Sequence, residues 1–574
     1  MRVLAEALER VRSLRGRNDK IRALADALRT IADDGGSEAL EIATRLAVGR
    51  TLPVHDARTL GVGWRLVIDV AIELTGWDVT TIGVSSRVTG DLGEAFGLLV
   101  RRDPRAASRA GLSMSAVGEA FSEIAAASGR DRKRDAMLAL FAEATWLETK
   151  YLAKALLGAL RTGAMGGVLE AAIVQAFAAP AEAVRRALAL VSDPGEVAVL
   201  AFEERLGDAK LVPGRPLDFM LASPAESVKD PIDWNLTIVE DKLDGVRAQI
   251  HARGAETAIF GRGLDRATAQ FPEIARAFAS APFAVLDGEI VAAADGGRAR
   301  PFQVLQERLN QKAPSRALLA RTPVAFIAYD LLAEGDQVLL DLPLTARREK
   351  LLAYREACAL VGIPASYFRV NEAIRLASDT ELDAAFDAAR ARGNEGLVLK
   401  REDAPYDAGK RGHAWRKVKK AFATLDVVVT AAEEGHGKRA GLLSDYTFAV
   451  WSEDKLVNVG KAYSGVTDEE IDFLTTHFRA VTIEKKGPVR LVEPTIVLEV
   501  GFDGIQRSKR HASGFSLRFP RIMRLRRDKT ADDANTVTDV EALYGAQLES
   551  GHREEAVMIP DGPKKKQLSL FGDD

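Results

Sequence analysis

Hydrophobic periodicity changes once along this 574-residue chain, and that change limits what each part can fold into. Up to about Ala201 apolar residues recur every three or four positions, for example at Leu24, Leu28 and Ile31, which is the spacing of one buried helix face. A connector that contains proline and glycine follows at 211–216, and beyond it apolar and polar residues alternate as they do in strands. The sequence therefore predicts an all-α N-terminal domain followed by domains that contain sheets.

Two kinds of sheet-containing domain are predicted beyond the connector. Predicted strands at 236–240 and 246–250 are interspersed with helices such as 379–392, which indicates an α+β domain. From residue 425 onward short β segments recur, a pattern typical of a small OB-type barrel. The predicted domains are an all-α domain at 1–205, an α+β domain at 206–420, an OB-type β-barrel at 421–545 and a tail at 546–574.

Composition is typical of a soluble globular protein. Apolar residues make up 47% of the chain and charged residues 28%, which is neither a disordered nor a membrane composition. Residues 1–17 interleave arginine and glutamate with apolar residues, so they lack the apolar region of a secretion signal. The most apolar stretch, at 165–179, is too short and too polar to span a bilayer. These features predict a cytoplasmic protein without membrane contact.

Cysteine content and charge narrow the possible kinds of site. With Cys358 as its only cysteine, the chain cannot form an internal disulfide or a multi-cysteine zinc site. The net charge of -3 argues weakly against nucleic acid as a partner. However, nine lysines and arginines stand between Arg507 and Lys529 against the single acid Asp528. This segment could neutralise nucleic-acid phosphates, or it could be a solvated basic face.

A hexapeptide at 242–247 carries the strongest chemical signal in the sequence. It reads Lys-Leu-Asp-Gly-Val-Arg, and Glu240 stands two positions before its lysine. A lysine so placed can attack a nucleotide phosphate, although the pattern alone recurs by chance in charged turns. Independent coincidences would seldom reproduce the order and spacing of the clusters that follow. These clusters lie at 260–263, 286–290, 326–330 and 395–400, the last leading to 415–419.

This ordered set resembles the covalent nucleotidyltransferases, which are the polynucleotide ligases and the mRNA capping enzymes. The helical domain precedes the set, and its residues 150–165 look like part of a ligase DNA-binding domain, so the chain resembles bacterial ATP-dependent DNA ligases. NAD-dependent ligases as a family carry a four-cysteine zinc finger that one cysteine cannot form, so the resemblance implies ATP as the AMP donor. It also implies an adenylation domain with antiparallel sheets and a monomeric protein. The implied substrate is nicked duplex DNA, sealed between 5′-phosphate and 3′-hydroxyl ends in repair, replication or recombination.

The resemblance implies roles for residues around the nucleotide. Lys242 becomes the residue that carries AMP, and Glu240 reads the adenine. Arg247 and Arg262 hold the ribose and phosphate region, and Phe326 stacks on the base. A glycine precedes Arg262 where the family usually has serine or threonine, so a hydroxyl contact is expected to be absent.

The resemblance also implies Mg²⁺ and a set of phosphate contacts. Glu289 contacts the ribose or the metal, and Glu395 coordinates the metal. The cations expected to face the phosphates are Arg411, Lys417 and Lys419. The OB-domain motif expected over the pyrophosphate comprises Arg526, Asp528 and Lys529. Because a free lysine is protonated at neutral pH, nearby cations and Mg²⁺ are needed to favour the neutral, nucleophilic amine.

The end of the chain carries a short motif of its own. Residues 567–571 read Gln-Leu-Ser-Leu-Phe and resemble the pentapeptide by which bacterial replication and repair proteins dock on the sliding clamp. Leu568, Leu570 and Phe571 would fill a pocket on the clamp, and Gln567 would form a hydrogen bond at its edge. A frayed terminus is the alternative interpretation.

Two other functions would use the same features. An RNA ligase or a capping guanylyltransferase would carry the same lysine, but the long helical N-terminal domain argues against both. A degenerate ligase would be a binding module that recruits partners to the clamp through 567–571, but the complete set of charged motif residues argues against it. Labelling with ATP and GTP, and comparing nicked DNA with nicked RNA, distinguishes these hypotheses.

Overall fold

The structure is a computed structural model. It describes the whole chain except residues 57, 164–165, 228–230, 294–299, 301, 310, 312, 419–422, 436–438, 440, 509 and 550–574. The predicted clamp-docking residues Gln567, Leu568, Leu570 and Phe571 therefore lie outside the described residues, as does Lys419.

The N-terminal part of the chain is helical, as its periodicity predicts. The predicted buried face is confirmed, since Leu24 and Leu28 are fully buried and Ile31 is nearly so. Helix α2 breaks at Gly36, whose φ of 67° lies in the left-handed region that glycine tolerates. No described helix combines the length and the apolar content that crossing a bilayer requires. The helices are α1 (Arg2–Ser13), α2 (Arg17–Ala47), α3 (Trp64–Thr75), α4 (Val79–Thr89), α5 (Leu92–Arg101), α6 (Met114–Ala126), α7 (Arg130–Glu143), α8 (Trp146–Leu156), α9 (Gly167–Phe177), α10 (Ala181–Val191) and α11 (Pro194–Phe202).

Two lysines of the stretch that resembles a ligase DNA-binding domain are buried. Lys150 and Lys154 on α8 are only 1% and 5% exposed. Lys150 pairs with Glu9 of α1, and Lys154 pairs with Asp91, which caps the start of α5. These lysines therefore hold α8 against α1 and α5 and are shielded from DNA phosphates.

The middle part of the chain combines helices with two sheets. The strands predicted on either side of Lys242 are confirmed, and the helix predicted at 379–392 is α16. Its strands are β1 (Leu221–Pro224), β2 (Thr237–Lys242), β3 (Val246–Ala252), β4 (Ala258–Gly261), β5 (Ala284–Ala292), β6 (Val324–Glu334), β7 (Gln337–Val338), β8 (Phe368–Val370), β9 (Ala373–Arg375), β10 (Gly396–Arg401) and β11 (Arg411–Val418). Its helices are α12 (Pro272–Ala277), α13 (Phe302–Leu309), α14 (Arg316–Arg321), α15 (Leu344–Leu360) and α16 (Asp379–Ala391).

The two sheets are mainly antiparallel. The first has the strand order β1-β11-β10-β2-β9, and only its β1–β11 pair is parallel. The second has the order β4-β3-β5-β6-β7, with β8 added in parallel to β6. Consecutive strands β2 and β3 belong to different sheets, so the hexapeptide at 242–247 passes from one sheet to the other.

The C-terminal part is a β domain, as predicted. The long strand β12 pairs with β13, β16 and β17, and β17 pairs in turn with β20. Val427, Phe448 and Val500 are fully buried in its core. Its strands are β12 (Ala423–Glu434), β13 (Leu443–Ser452), β14 (Lys455–Ala462), β15 (Thr482–Lys486), β16 (Val489–Val492), β17 (Val497–Phe502), β18 (Gly504–Arg507), β19 (Phe515–Arg518) and β20 (Arg521–Leu525). Its helices are α17 (Asp468–Ala480) and α18 (Val537–Glu549).

Candidate active site

The two sheets of the middle domain border a cavity of about 430 Å³. Strands β2, β10 and β11 line it on one side, and strands β3, β5 and β6 line it on the other. The cavity brings together predicted site residues that are far apart in sequence. These are Glu240, Lys242, Arg247, Arg262, Glu289, Glu395, Arg411 and Lys417.

Lys242 is the last residue of β2, where the chain turns towards the second sheet. The turn lies so close to β5 that a Cβ on Gly245 would come within 2.4 Å of the carbonyl oxygen of Ile290. Glycine is therefore required after Asp244, because any side chain would force the turn away from β5. On the other flank, the amide of Glu395 donates to the carbonyl oxygen of Lys242 at 2.8 Å.

The amine of Lys242 is paired with a carboxylate in this structure. Its Nζ lies 2.7 Å from Oε2 of Glu395, and both side chains are about one quarter exposed. A lysine attacks only through a nitrogen lone pair, which an ammonium lacks. A nucleophilic role for Lys242 would therefore require the Lys242–Glu395 pair to open.

Two more carboxyl groups near Lys242 have raised pKa values. Burial raises the pKa of Glu289 to about 8, against the opposing effect of Lys242 and Arg247. Burial and the neighbouring Glu395 raise the pKa of Asp244 to about 6. Burial is the main cause of both raised pKa values, and an added cation would favour the ionised forms.

The residues present fit a magnesium ion that arrives with a nucleotide. Within the described part of the chain, no group of three histidine, cysteine, aspartate or glutamate side chains forms a ready-made metal cage. Mg²⁺ is usually held by one or two carboxylates together with substrate phosphates and water, so it does not need such a cage. Glu289 and Glu395 both line the cavity and supply oxygen ligands of the required kind.

Glu240 is buried at the wall of the cavity, with three donors around its carboxylate. Nη1 of Arg348 donates to Oε1 at 2.9 Å. Nδ2 of Asn371 donates to Oε2 at 3.1 Å, and Nζ of Lys400 lies 2.9 Å from the same oxygen. The carboxylate is thus held in one orientation.

Arg247 is fixed by a hydrogen-bonded chain. Its guanidinium donates twice to Asp287, at 3.1 and 2.7 Å, and the hydroxyl of Tyr406 donates to the same carboxylate at 2.8 Å. Burial alone would lower the pKa of Arg247, but Asp287 together with the hydroxyl groups of Tyr329 and Tyr406 more than offsets this effect and the pKa is raised. The guanidinium also lies over the ring of Phe219, with 4.6 Å to the centroid. Arg247 therefore presents a permanent positive charge to the cavity.

The structure corrects the assignment of Phe326 as the residue that stacks on the base. Phe326 is fully buried in the core on the other face of β6, beside Phe278 and Phe368. Alternate residues of a strand point to opposite faces, so Tyr329, three positions later, points into the cavity. Tyr329 and Trp415 are the aromatic residues that line the cavity.

The cavity also has predicted cations along its walls. Arg262 lies in the turn after β4 and is exposed, Arg411 begins β11, and Lys417 is half-buried near the end of the same strand. Lys419 falls outside the described residues. The three described cations give this part of the cavity a positive charge.

The residues of the predicted OB-domain motif form ion pairs within the C-terminal domain. Arg526 and Lys529 both pair with Asp426, at 2.9 and 2.7 Å, and Asp528 pairs with Arg526 at 2.8 Å. The contact with Arg526 holds the pKa of Asp528 below its usual value. Arg526, Asp528 and Lys529 do not line the cavity in this conformation.

A different arginine of the C-terminal domain lies near the turn that follows Lys242. Arg518, at the end of β19, is close enough to Asp244 to oppose the rise of its pKa. Arg390 of α16 donates to the carbonyl oxygen of Asp503 at 3.5 Å and joins the two domains beside it. The sequence marked Arg518 only as one member of a basic segment.

Other cavity residues were missed for different reasons. Tyr329 and Lys400 stand inside the quoted motif clusters, so the sequence offered a signal for them. Arg348 and Asn371 stand outside every cluster. Only the tertiary contacts with Glu240 reveal these two residues.

Comparisons with known protein families match most of the chain. Residues 1–173 match the family described as "DNA ligase N terminus". Residues 219–419, which contain the cavity, match "ATP dependent DNA ligase domain". Residues 439–529 match "ATP dependent DNA ligase C terminal region".

Individual proteins are similar over nearly the full length. A "Probable DNA ligase" from Koribacter versatilis (strain Ellin345) is 40% identical, covering 99% of this chain and 100% of the relative. A "DNA ligase" from Thermococcus fumicolans is 35% identical, covering 92% of this chain and 95% of the relative. A solved structure described as "Pmar-Lig_Pre." has a TM-score of 0.58 at 17% identity and covers 91% of this chain and 99% of its own, which is a likeness of fold.

Proposed function

The chain belongs to the ATP-dependent DNA ligase family, whose members form phosphodiester bonds, and we propose that it does so through Lys242. The observation that supports this most directly is the position of Lys242. It ends β2 inside a cavity that also contains two arginines and two carboxyl groups named by the family motifs, Arg247, Arg262, Glu289 and Glu395. Nicked DNA is the substrate of this family.

The reaction proceeds in three transfers in this proposal. The neutral amine of Lys242 attacks the α-phosphate of ATP, a phosphorus–nitrogen bond forms and pyrophosphate leaves. The AMP then passes from the lysine to the 5′-phosphate of the nick. Finally the 3′-hydroxyl attacks that phosphate, the backbone is joined and AMP leaves. Dividing one difficult condensation in this way is the advantage of covalent catalysis.

The nucleotide contacts follow from the walls of the cavity. Glu240 accepts from the base, and Tyr329 or Trp415 provides the aromatic face that Phe326 cannot provide. Arg247 and Arg262 contact the ribose and phosphate region, because both present guanidinium groups to the cavity.

Phosphate charge is the main obstacle to nucleotidyl transfer, and positioned cations reduce it. Arg411 and Lys417 face the triphosphate from β11, and Lys419 is assigned to the same set. Mg²⁺, when bound by Glu289 and Glu395, supplies further charge neutralisation. The raised pKa of Glu289 supports this, because a buried carboxyl group that lacks a sufficient cation favours binding one.

In this proposal the rest of the chain binds the DNA and contacts the pyrophosphate. The domains at 1–205, 206–420 and 421–545 enclose the duplex, mainly through phosphate contacts. Arg526, Asp528 and Lys529 act on the pyrophosphate after the C-terminal domain has moved. Pairing with Asp426 keeps Arg526 and Lys529 ordered until then.

The tail and the setting of the protein complete the proposal. Gln567, Leu568, Leu570 and Phe571 dock on the bacterial sliding clamp, and the protein acts as a cytoplasmic monomer in repair or replication. Deleting 567–574 should abolish binding to purified clamp and leave nick sealing on short duplexes unchanged. Equal clamp binding by the full and shortened chains would remove this part of the proposal.

The decisive experiment detects the covalent intermediate. Incubation of the full chain with α-labelled ATP and Mg²⁺ should give an acid-labile label, and intact-mass measurement should find one added AMP. Lys242→Ala should abolish it, whereas Lys210→Ala, a change at an exposed lysine, should not. GTP in place of ATP tests a guanylyltransferase, and a wild-type chain that never gains AMP contradicts the proposal.

A further inference from the structure

Glu240 has an unusual number of partners for a residue assigned to bind a base. Its side chain is only 1% exposed, and its carboxylate receives hydrogen bonds or ion pairs from Arg348, Asn371 and Lys400. A carboxylate has about four lone-pair positions, so three donors leave one acceptor position open. Oε1 has one donor and Oε2 has two, which places the open position on Oε1.

Arg348 and Asn371 hold each other as well as Glu240. Nη2 of Arg348 donates to the carbonyl oxygen of Asn371 at 2.7 Å, while its Nη1 donates to Glu240. Nδ2 of Asn371 also donates to the carbonyl oxygen of Asp241 at 3.0 Å. One guanidinium thus links α15 to β2 and to the segment before β9. The carboxylate of Glu240 lies at the centre of these contacts.

Lys400 also contacts the aromatic residues on the same wall of the cavity. Its Nζ donates to the carbonyl oxygen of Tyr329 at 3.2 Å and lies 4.6 and 4.3 Å from the ring centroids of Tyr329 and Trp415. Lys400 therefore joins Glu240 to the two aromatic side chains of the cavity. A flat base beside these rings would bring its edge towards Glu240.

An oriented acceptor distinguishes bases by the group at their edge. The 6-amino group of adenine is a donor, whereas the 6-oxygen of guanine is an acceptor and would meet the carboxylate unfavourably. We propose that Arg348 and Asn371 are positioning residues that aim the open Oε1 position of Glu240 at the 6-amino group, and so determine the preference for ATP. This inference rests on the proposed function, because it assumes that the nucleotide reacts with Lys242.

The test compares two nucleotides in single-turnover self-adenylation of the full chain. Purine ribonucleoside triphosphate is identical to ATP except that hydrogen replaces the 6-amino group. The wild type should prefer ATP in rate over KM by about 10- to 100-fold, the value of one hydrogen bond to a charged group. Arg348→Ala and Asn371→Ala should each reduce this preference to about threefold or less. Their reaction with the purine analogue should stay within about threefold of the wild type.

Conservative and control variants separate positioning from general damage. Arg348→Lys keeps the charge but cannot bridge Glu240 and Asn371 with one planar fork, so it should restore only part of the preference. Glu349→Gln alters the exposed neighbour on the same helix and should leave the preference unchanged. Asn371→Ala serves as the second measurement if Arg348→Ala does not fold.

The outcomes are distinct. An equal loss with both nucleotides would mean that Arg348 and Asn371 only support the fold, and an unchanged preference would mean that they do not position Glu240. Either result overturns this inference and leaves the proposed function standing, because the wild type still gains AMP. A wild type that gains neither AMP from ATP nor purine ribonucleoside monophosphate from the analogue overturns both.

Discussion

Two lysine–carboxylate clusters in this molecule, one around Lys150 and one around Lys242, have similar chemistry but different roles. Lys150, on α8, is buried between Glu9 and Glu94. Lys242 pairs with Glu395 but is one quarter exposed and opens into the cavity. The Lys150–Glu9 pair joins two helices, whereas the Lys242–Glu395 pair lies where a substrate could bind.

The carboxyl groups of the two clusters show the difference electrostatically. Burial tends to raise the pKa of Glu9, but hydrogen bonds from Lys150, Arg12 and Tyr151 lower it to about 2. Burial raises the pKa of Glu289 to about 8, because the nearby cations do not compensate for it. The partners of Glu9 compensate for its burial, whereas those of Glu289 do not, and an uncompensated buried carboxyl group favours binding a further cation.

The largest effect is expected from substitution of Lys242, the lysine that lines the cavity. Lys242→Met should lower self-adenylation by a factor of about 10⁴ or more, because the nucleophile is lost. It should change the free energy of unfolding by less than about 1 kcal/mol, because the pair it removes is partly exposed. Single-turnover labelling and urea unfolding measure the two quantities. A marked loss of stability would show that the pair with Glu395 is structural after all.

The two aromatic residues of β6 extend the comparison to the two faces of one strand. Phe326→Ala should destabilise the fold by about 3–5 kcal/mol, because it leaves a hole in the core. Tyr329→Ala should instead raise the KM for ATP about tenfold through loss of stacking area. Thermal unfolding and adenylation kinetics on both variants check this, and a reversed pattern would return base stacking to Phe326.

Substitution in the Lys150 cluster should change the stability of the fold but not the reaction with ATP. Lys150→Met keeps most of the side-chain volume but removes the buried cation between Glu9 and Glu94, which keep their contacts with the cations Arg12 and Lys154, at a cost of about 2–3 kcal/mol. Adding Glu94→Gln should recover part of this loss, as a double-mutant cycle would show. The AMP adduct per folded molecule should equal that of the wild type, and a selective loss of adduct would connect α8 to the reaction.

The smallest effect concerns the pH dependence of stability. The pKa of Glu289 in the fold lies above its ordinary value of 4.5, so the folded state retains a proton that the unfolded state loses as the pH rises to about 8. Stability contributed by the protonated form is therefore present at pH 4.5 and lost by pH 8. Glu289→Gln should remove this loss and become more stable than the wild type at pH 8, because glutamine has no proton to lose in this range. Urea unfolding in EDTA across this range measures it, and parallel pH profiles would exclude the effect.

Much of the site was predictable because its residues cluster along the chain. Lys242, Arg247, Glu289 and Glu395 stand in ordered motifs, and all four line the cavity. Phe326 was assigned wrongly because a motif shows which residues are close in sequence but not which face of a strand each one takes. Tyr329 in the same cluster has the required orientation.

Other features depended on contacts that sequence spacing does not encode. The burial of Lys150 follows from the packing of α1, α5 and α8, since helical periodicity alone does not show which polar residues meet a partner helix. Arg348 lies 108 positions from Glu240, and no local pattern connects them. Arg518 acts on Asp244 only because the C-terminal domain lies beside α16.

Sequence alone determined the order of helical and sheet-containing parts and the lysine at the strand end, because these depend on local periodicity. The tertiary structure decided which side chains share the cavity, which carboxyl groups are compensated and which arginine orients Glu240. Those properties depend on distances between segments far apart in the chain, and electrostatic and packing energies are set by such distances.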